Sequence, residues 1–231
     1  MHLNISYSRF FITLVMLLSF SVVSGQKRYK CRNTLINNEF RVGARAGFEL
    51  ANMYLKKYDT QYETSPVFGL HGGLMAEYIV QEVISFQAGI SYFEAGTEAR
   101  DELNVDPTYL NIKMKGVQLP LLIQPRFSKD GIIIFGSFGG YLGYHFSGSE
   151  QMSGAGADST YSSAISFSSA SGQYVHRHID FGLSAGGGME YNNVIIGAFY
   201  NFGLVNITSA PSIANNKILG FSVAYMFGLG K

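Results

Sequence analysis

Apolar side chains recur at every second position in this chain, and this period constrains the fold more than any other feature of the sequence. Between residues 40 and 50 the apolar residues Phe40, Val42, Ala44, Ala46, Phe48 and Leu50 alternate with Arg41, Gly43, Arg45, Gly47 and Glu49. Successive side chains of a β-strand point to opposite faces, so this segment is predicted to be a strand with one apolar face and one polar or glycine face. A helix of the same sequence would scatter both sets around its axis.

The same alternation is found in seven further segments, which predicts eight strands. The eight segments are 40–50, 68–78, 84–92, 116–126, 132–146, 178–191, 194–205 and 218–228. Segments of about ten residues are long enough for a tilted strand to cross a bilayer. The fourth segment contains Pro120 and Pro125, which are disfavoured inside a sheet because proline has no N–H group to donate, and it places Leu122 on its polar face.

The connections between the predicted strands alternate in length. Long connections at 52–65, 95–109 and 147–175 and an intermediate one at 206–216 alternate with short ones around residue 81, at 128–131 and at 192–193. Outer-membrane barrels have short periplasmic turns and longer extracellular loops, and an even number of antiparallel strands closes such a barrel without free edges. The predicted fold is therefore all-β: an eight-stranded antiparallel transmembrane outer-membrane β-barrel with both chain ends in the periplasm. The Ser- and Gly-rich connection at 147–175 is expected outside the cell as a weakly structured loop.

The N-terminus has the layout of a secretory signal peptide. Residues 1–9 contain Arg9 and no acidic residue, residues 10–23 are mostly apolar, and small residues precede Gln26. The apolar run is shorter than the roughly 20 residues that a membrane-spanning helix needs, and no later run reaches that length, which excludes a helical membrane protein. We predict a cleaved signal peptide at 1–25, a periplasmic N-terminal segment at 26–38 and a transmembrane β-barrel at 39–231.

The amino-acid composition limits the kinds of molecule that the chain is expected to bind. Charged residues make up 14% of the chain, against roughly 25% in a typical soluble domain. With 17 Lys and Arg against 16 Asp and Glu the net charge is +1, so there is no excess of positive charge for binding nucleic acid. Cys31 is the single cysteine and cannot form an intramolecular disulfide. No cofactor and no small-molecule substrate are predicted, and the expected partner is outer-membrane lipid.

Three stretches of the sequence resemble the PorT-type outer-membrane barrels of the Bacteroidota. They are GVQLPLLIQP at 116–125, the segment 67–96 with GLHGGLMAEYIV and VISFQAGISYF, and the closing FSVAYMFGLG at 221–230. The resemblance spans about residues 40–231. It implies an outer-membrane barrel and, for the namesake of the family, a requirement in secretion and maturation of C-terminal-signal cargo, such as surface proteases, by the type IX system. It also implies other secretion-machinery proteins as partners, and it supplies no catalytic motif.

Charged residues on the polar faces of the predicted strands are the first candidate site. They are Arg41, Arg45, Glu49, Glu77, Arg126, Asp180 and Glu190. An eight-stranded barrel is narrow enough for side chains to fill, and charges removed from bulk water need partners. We interpret the seven residues as a structural, salt-bridged network that fills the lumen. The alternative interpretation is a polar path or a gate.

Histidines near the predicted extracellular mouth are the second candidate site. His145, His176 and His178 are predicted to point inward on adjacent strands, where imidazoles could bind a transition metal or sense acid. Because no cysteine or carboxylate completes a usual ligand set, we predict polar residues in contact with water and no metal site. Ser184, His178 and Asp180 could supply a hydrolytic set, but same-face neighbours on one strand lie about 7 Å apart, too far for a hydrogen bond. No enzyme activity is predicted.

Three classes of function remain open. The first, an accessory component of protein export, rests on the family resemblance. The second is a structural or surface-interaction barrel that uses the loop at 147–175 as its binding element. The third is a lipid-modifying outer-membrane enzyme, which would be sensitive to substitution of His178.

Overall fold

The computed structural model of this protein describes residues 38–57, 60–61, 63–101, 108–154, 160–165, 167, 176–208 and 212–228. Every regular element in these residues is a β-strand. In the same residues no helix is long and apolar enough to cross a membrane. The predicted signal peptide and Cys31 lie outside the described residues, as does all but the last residue of the segment 26–38.

Eleven strands are present in the described residues. In chain order they are β1 (Glu39–Lys57), β2 (Thr60–Gln61), β3 (Glu63–Ser65), β4 (Val67–Val80), β5 (Ile84–Asp101), β6 (Thr108–Lys129), β7 (Ile132–Gly154), β8 (Thr160–Ala164), β9 (Ile179–Tyr191), β10 (Val194–Gly203) and β11 (Ser212–Gly228). Strands β2, β3 and β8 are short, and the other eight each contain one of the predicted segments to within two residues.

The eight long strands form a closed ring. Neighbours pair in the order β1, β4, β5, β6, β7, β9, β10 and β11, and β11 pairs back with β1, where Phe48 lies opposite Phe221. Every one of these pairings is antiparallel. Closure satisfies the backbone hydrogen-bonding groups without leaving a free edge. The predicted all-β antiparallel barrel is confirmed.

Three tight turns, the start of β1 and the end of β11 lie at the same end of the barrel, which we call the short-turn end. Strand pairs are joined there by residues 81–83, by Asp130–Gly131 and by Asn192–Asn193. The φ angles of Asp130 and Gly131 are 52° and 82°, and those of Asn192 and Asn193 are 48° and 67°. Two consecutive positive φ angles define the type I′ hairpin, whose twist matches that of the strands. The opposite end is called the long-loop end.

The long connections are shorter than the sequence predicts. β5 continues to Asp101 and β6 begins at Thr108, so most of the predicted connection 95–109 is strand. β7 continues to Gly154 and pairs with β8, so the prediction of a weakly structured loop at 147–175 is wrong for these residues. In part of these extensions the alternation is inverted: Ile112 and Met114 are buried in the lumen, whereas Lys113 is exposed on the outer face. The predicted pattern of an apolar outer face and a polar inner face therefore ends before the backbone ladder does.

The two prolines of β6 are accommodated by gaps in the ladder. The pairing of β5 with β6 omits Gly89, opposite Pro120, and the pairing of β6 with β7 omits Gly136, opposite Pro125. Proline has no N–H group to donate at these points. The alternation continues past both gaps, with the lumenal Leu122 buried as its position requires.

The outer face of the ring carries a continuous set of exposed apolar side chains, the apolar belt. Phe68, Leu121 and Phe138 belong to it and are 63%, 66% and 61% exposed. Exposed charged residues lie beyond it at both ends, for example Lys129 at the short-turn end and Lys113 toward the long-loop end. An apolar outer band between polar rims is typical of a barrel that spans a lipid bilayer.

Candidate functional site

Four charged side chains meet inside the short-turn end, and we call them the ion cluster: Arg41, Glu77, Arg126 and Glu190. Each is at most 8% exposed. Arg41 Nη2 donates to Glu77 Oε2 at 2.6 Å and to Glu190 Oε2 at 2.9 Å. Arg126 Nη2 donates to Glu190 Oε2 at 2.9 Å, and further hydrogen bonds join Arg126 to Glu77 and Arg41 to Glu190. Two positive and two negative charges offset each other, and the contacts connect β1, β4, β6 and β9 across the lumen.

Arg45 and Glu49 lie further along β1 and do not belong to the ion cluster. Arg45 donates through Nε and Nη2 to Ser91 Oγ at 3.1 and 2.9 Å. Glu49 Oε1 accepts the backbone N–H of Glu94 at 2.7 Å, and its Oε2 lies 3.6 Å from His71 Nδ1. The structure therefore distributes the predicted charges over separate groups.

Asp180 forms a third group nearer the long-loop end. Its Oδ2 accepts hydrogen bonds from Asn216 Nδ2 at 2.8 Å and from Tyr141 Oη at 3.1 Å. Asn216 Nδ2 is also 3.5 Å from His145 Nε2. Neutral donors, rather than an arginine, hold this buried carboxyl group.

The three predicted histidines lie near one another, with His178 Nδ1 at 2.7 Å from the His145 backbone oxygen, but their rings do not form a common ligand set. His145 and His176 are buried. His178 is partly exposed and its ring stacks on Tyr144, an exposed residue of the outer face, at 5.0 Å between centroids and on Phe167 at 4.7 Å. β9 begins only at Ile179, so the strand geometry does not orient His178 inward. Among the described residues no group of three or more His, Cys, Asp or Glu side chains is arranged to hold a metal ion.

Apolar side chains fill the lumen near the long-loop end, and we call this set the apolar cluster. It consists of Ala51, Met53, Val67, Phe93, Ala95, Ile112, Met114, Ile165, Ile207, Ala214 and Ile218. All of these residues except Ile218 lie outside the predicted strand segments, either in a predicted connection or in the few residues between a segment and a connection. The strands thus continue beyond the predicted segments around a small hydrophobic core.

Sequence reasoning does not single out His71, Tyr141 or Asn216, although each lies against a predicted site residue. His71 and Tyr141 fall on inward positions of predicted strands, so the alternation is the signal that could have found them. Asn216 lies in the predicted connection 206–216, where no period marks it as lumenal.

The filled lumen predicts that the barrel does not conduct ions. Reconstituted into a planar lipid bilayer under voltage, the purified chain is expected to give no stepwise current, because the ion cluster and the apolar cluster occupy the two ends of a narrow lumen. A channel-forming barrel reconstituted in the same way is the positive control. Reproducible current steps that depend on the presence of this chain would contradict the prediction.

A closed antiparallel barrel with an apolar outer belt and a polar, filled interior is the architecture of outer-membrane β-barrel proteins. The family model described as outer membrane protein beta-barrel domain matches residues 25–209, and the chain belongs to this family.

Solved outer-membrane proteins are similar to this chain at low sequence identity. Ail, the attachment invasion locus protein of Yersinia pestis, is 14% identical with a TM-score of 0.38, covering 82% of this chain and 99% of Ail. Neisserial surface protein A is 13% identical with a TM-score of 0.36, covering 83% and 99%. AlkL, solved in lipid bilayers, is 11% identical with a TM-score of 0.40, covering 89% and 98%. No curated protein sequence matches the chain.

Proposed function

We propose that this chain is a non-enzymatic accessory component of protein export, needed for secretion of C-terminal-signal cargo by a type IX system. The support for this role is the resemblance of 116–125, 67–96 and 221–230 to PorT-type barrels. In this proposal the short-turn end, where β1 begins and β11 ends, faces the periplasm. The partners are outer-membrane lipid and other proteins of the secretion machinery.

The observation that carries the proposal is the occupied lumen. The ion cluster and the apolar cluster fill the barrel near its two ends, so cargo has no route through it. A barrel of this kind acts through its outer surfaces, as an anchored component of a larger assembly does.

Deletion of the gene in its native host tests the export role. Loss of the protein is expected to leave C-terminal-signal cargo unprocessed in the periplasm while the outer membrane stays intact, and the intact chain is expected to restore cargo to the cell surface. Quantitative proteomics of surface, periplasmic and outer-membrane fractions measures this. Unchanged cargo distribution in the deletion strain would refute the export role.

A surface-interaction barrel is the second candidate function, and the hairpin of β7 and β8 favours it. β8 pairs with the end of β7 in the register Met152 to Tyr161, which extends the barrel at the long-loop end. A chain that lacks residues 149–164 separates the two candidates in the same deletion strain. If the deletion disturbs cargo and this chain restores it fully, the export role is supported, whereas normal cargo in the deletion strain together with a surface-binding phenotype that this chain fails to restore supports the second.

We propose that the barrel is not an enzyme, and the placement of the candidate hydrolytic set supports this. Asp180 is bonded to Tyr141 and Asn216, whereas His178 Nδ1 lies 2.7 Å from the backbone oxygen of His145. In the described residues neither His178 nor Asp180 is bonded to Ser184. An altered lipid profile in a His178→Ala strain, with the barrel present at normal level, would revive the lipid-modifying alternative.

A further inference from the structure

A cavity in the middle of the lumen has one charged side chain in its lining. Its volume is about 50 Å³, and its lining residues lie along the strands between the ion cluster and the apolar cluster. A buried water needs about 10–15 Å³ of such space, so the cavity has room for a monoatomic ion with one or two waters. We call it the mid-lumen cavity. Its charged lining residue is Arg45.

Among the described residues no carboxylate oxygen lies within ion-pair distance of the Arg45 guanidinium, and the acid whose charge acts on it, Glu49, lies further along β1. The contacts of the guanidinium among these residues are the two hydrogen bonds to Ser91 Oγ and the Phe199 ring, whose centroid is 5.7 Å from Cζ. A guanidinium carries five N–H donors, of which Ser91 takes two. The nearest acid along β1, Glu49, is bonded to the Glu94 N–H and does not line the cavity.

The other polar groups around the mid-lumen cavity can donate hydrogen bonds. Ser137, Ser184 and Ser222 line it, and none of the described lining residues is acidic. Gln118 Oε1 accepts a hydrogen bond from Asn201 Nδ2 at 3.2 Å, which leaves the Gln118 amide N–H groups for another acceptor. One cation without a contacting carboxylate and several donors thus surround a space whose lining has no acidic residue.

We propose that the mid-lumen cavity binds a small inorganic anion of the halide class. Arg45 supplies the counter-charge, and the serine hydroxyls and the Gln118 amide supply hydrogen bonds. A charge that is partly removed from bulk water needs compensation, and an anion in this space supplies a counter-charge in contact with the guanidinium, which the more distant Glu49 does not. The small volume selects a monoatomic ion over an organic anion. The bound anion is then a structural component of the middle of the barrel.

Salt-dependent unfolding with bromide as the probe tests this site. The full barrel is refolded into detergent micelles in sodium bromide or sodium gluconate at equal ionic strength, and its thermal midpoint is followed by circular dichroism. Bromide is expected to raise the midpoint by about 2–4 °C over gluconate, whose anion is too large for the cavity. Crystals grown in bromide are expected to show an anomalous peak beside Arg45.

Two variants test whether the bromide-dependent shift of the thermal midpoint arises at Arg45. Arg45→Gln is expected to abolish the bromide-dependent shift, whereas Arg177→Gln, at an exposed position outside the lumen, is expected to retain it. If Arg45→Gln does not fold, Ser184→Ala supplies the test with a reduced shift. Equal midpoints in both salts, a shift that survives Arg45→Gln, or a bromide map without a peak in the cavity would each overturn the proposal and leave water as the occupant.

Discussion

Glu77→Gln is expected to lower the free energy of unfolding of the barrel by about 3–5 kcal/mol, because removing one partner of a buried ion pair leaves the other charge uncompensated. Glu77 is 1% exposed and bonds both Arg41 and Arg126. In the variant these two arginines share the single carboxylate of Glu190. Urea unfolding of the barrel refolded into lipid vesicles, followed by circular dichroism, measures the change.

Two further variants separate the charge imbalance from the loss of contacts. Glu77→Gln combined with Arg126→Gln removes one charge of each sign and is expected to recover part of the loss, since Arg41 and Glu190 remain paired. Glu39→Gln, at an exposed position of the same end, is expected to change the stability by less than about 0.5 kcal/mol. A Glu77→Gln barrel as stable as the Glu39→Gln control would show that the ion cluster is not a stabilising element.

Leu121→Arg is expected to destabilise the barrel in lipid vesicles by about 2–4 kcal/mol, the cost of an arginine on the lipid-facing surface near the bilayer midplane. Leu121 is 66% exposed and lies in the middle of the apolar belt. In a water-soluble protein a substitution at so exposed a position would be nearly neutral. The free energy of unfolding in vesicles therefore reports whether lipid surrounds the belt.

Gln151→Arg is the matched control, because Gln151 is exposed on β7 toward the long-loop end, beyond the belt. Its introduced charge is expected to cost less than about 1 kcal/mol in the same vesicles, as near the membrane interface. Equal costs for Leu121→Arg and Gln151→Arg would contradict the assignment of the belt to the bilayer.

Much of the fold follows from the alternation. The period of two places Arg41 inward and Phe40 outward in the sequence, and the structure has Arg41 buried and Phe40 exposed. The tight turn at Asn192–Asn193 can also be predicted from the sequence, since asparagine tolerates the positive φ that such a turn requires. The extension of β7 to Gly154 cannot be predicted in this way, because its residues show no alternation of apolar and polar side chains.

The candidate site could be predicted only as a set of inward positions. Arg41 and Arg45 share one face of β1, yet Arg41 reaches two carboxylates whereas Arg45 reaches a serine hydroxyl and an aromatic ring. The difference depends on which residues of the distant strands lie at the same height in the lumen. No spacing along β1 contains that information.

The sequence by itself determined the central parts of the eight long strands, the face of most residues within them and the sorting of turns and long connections to opposite ends. These follow from the backbone period and from turn chemistry, which are local. Only the tertiary structure decided that Arg41 and Glu190 meet, that His178 stacks on the outer face and that Arg45 borders a cavity without an acid. The physical reason is that contacts across a barrel depend on strand register and closure, which arise when all eight long strands pair.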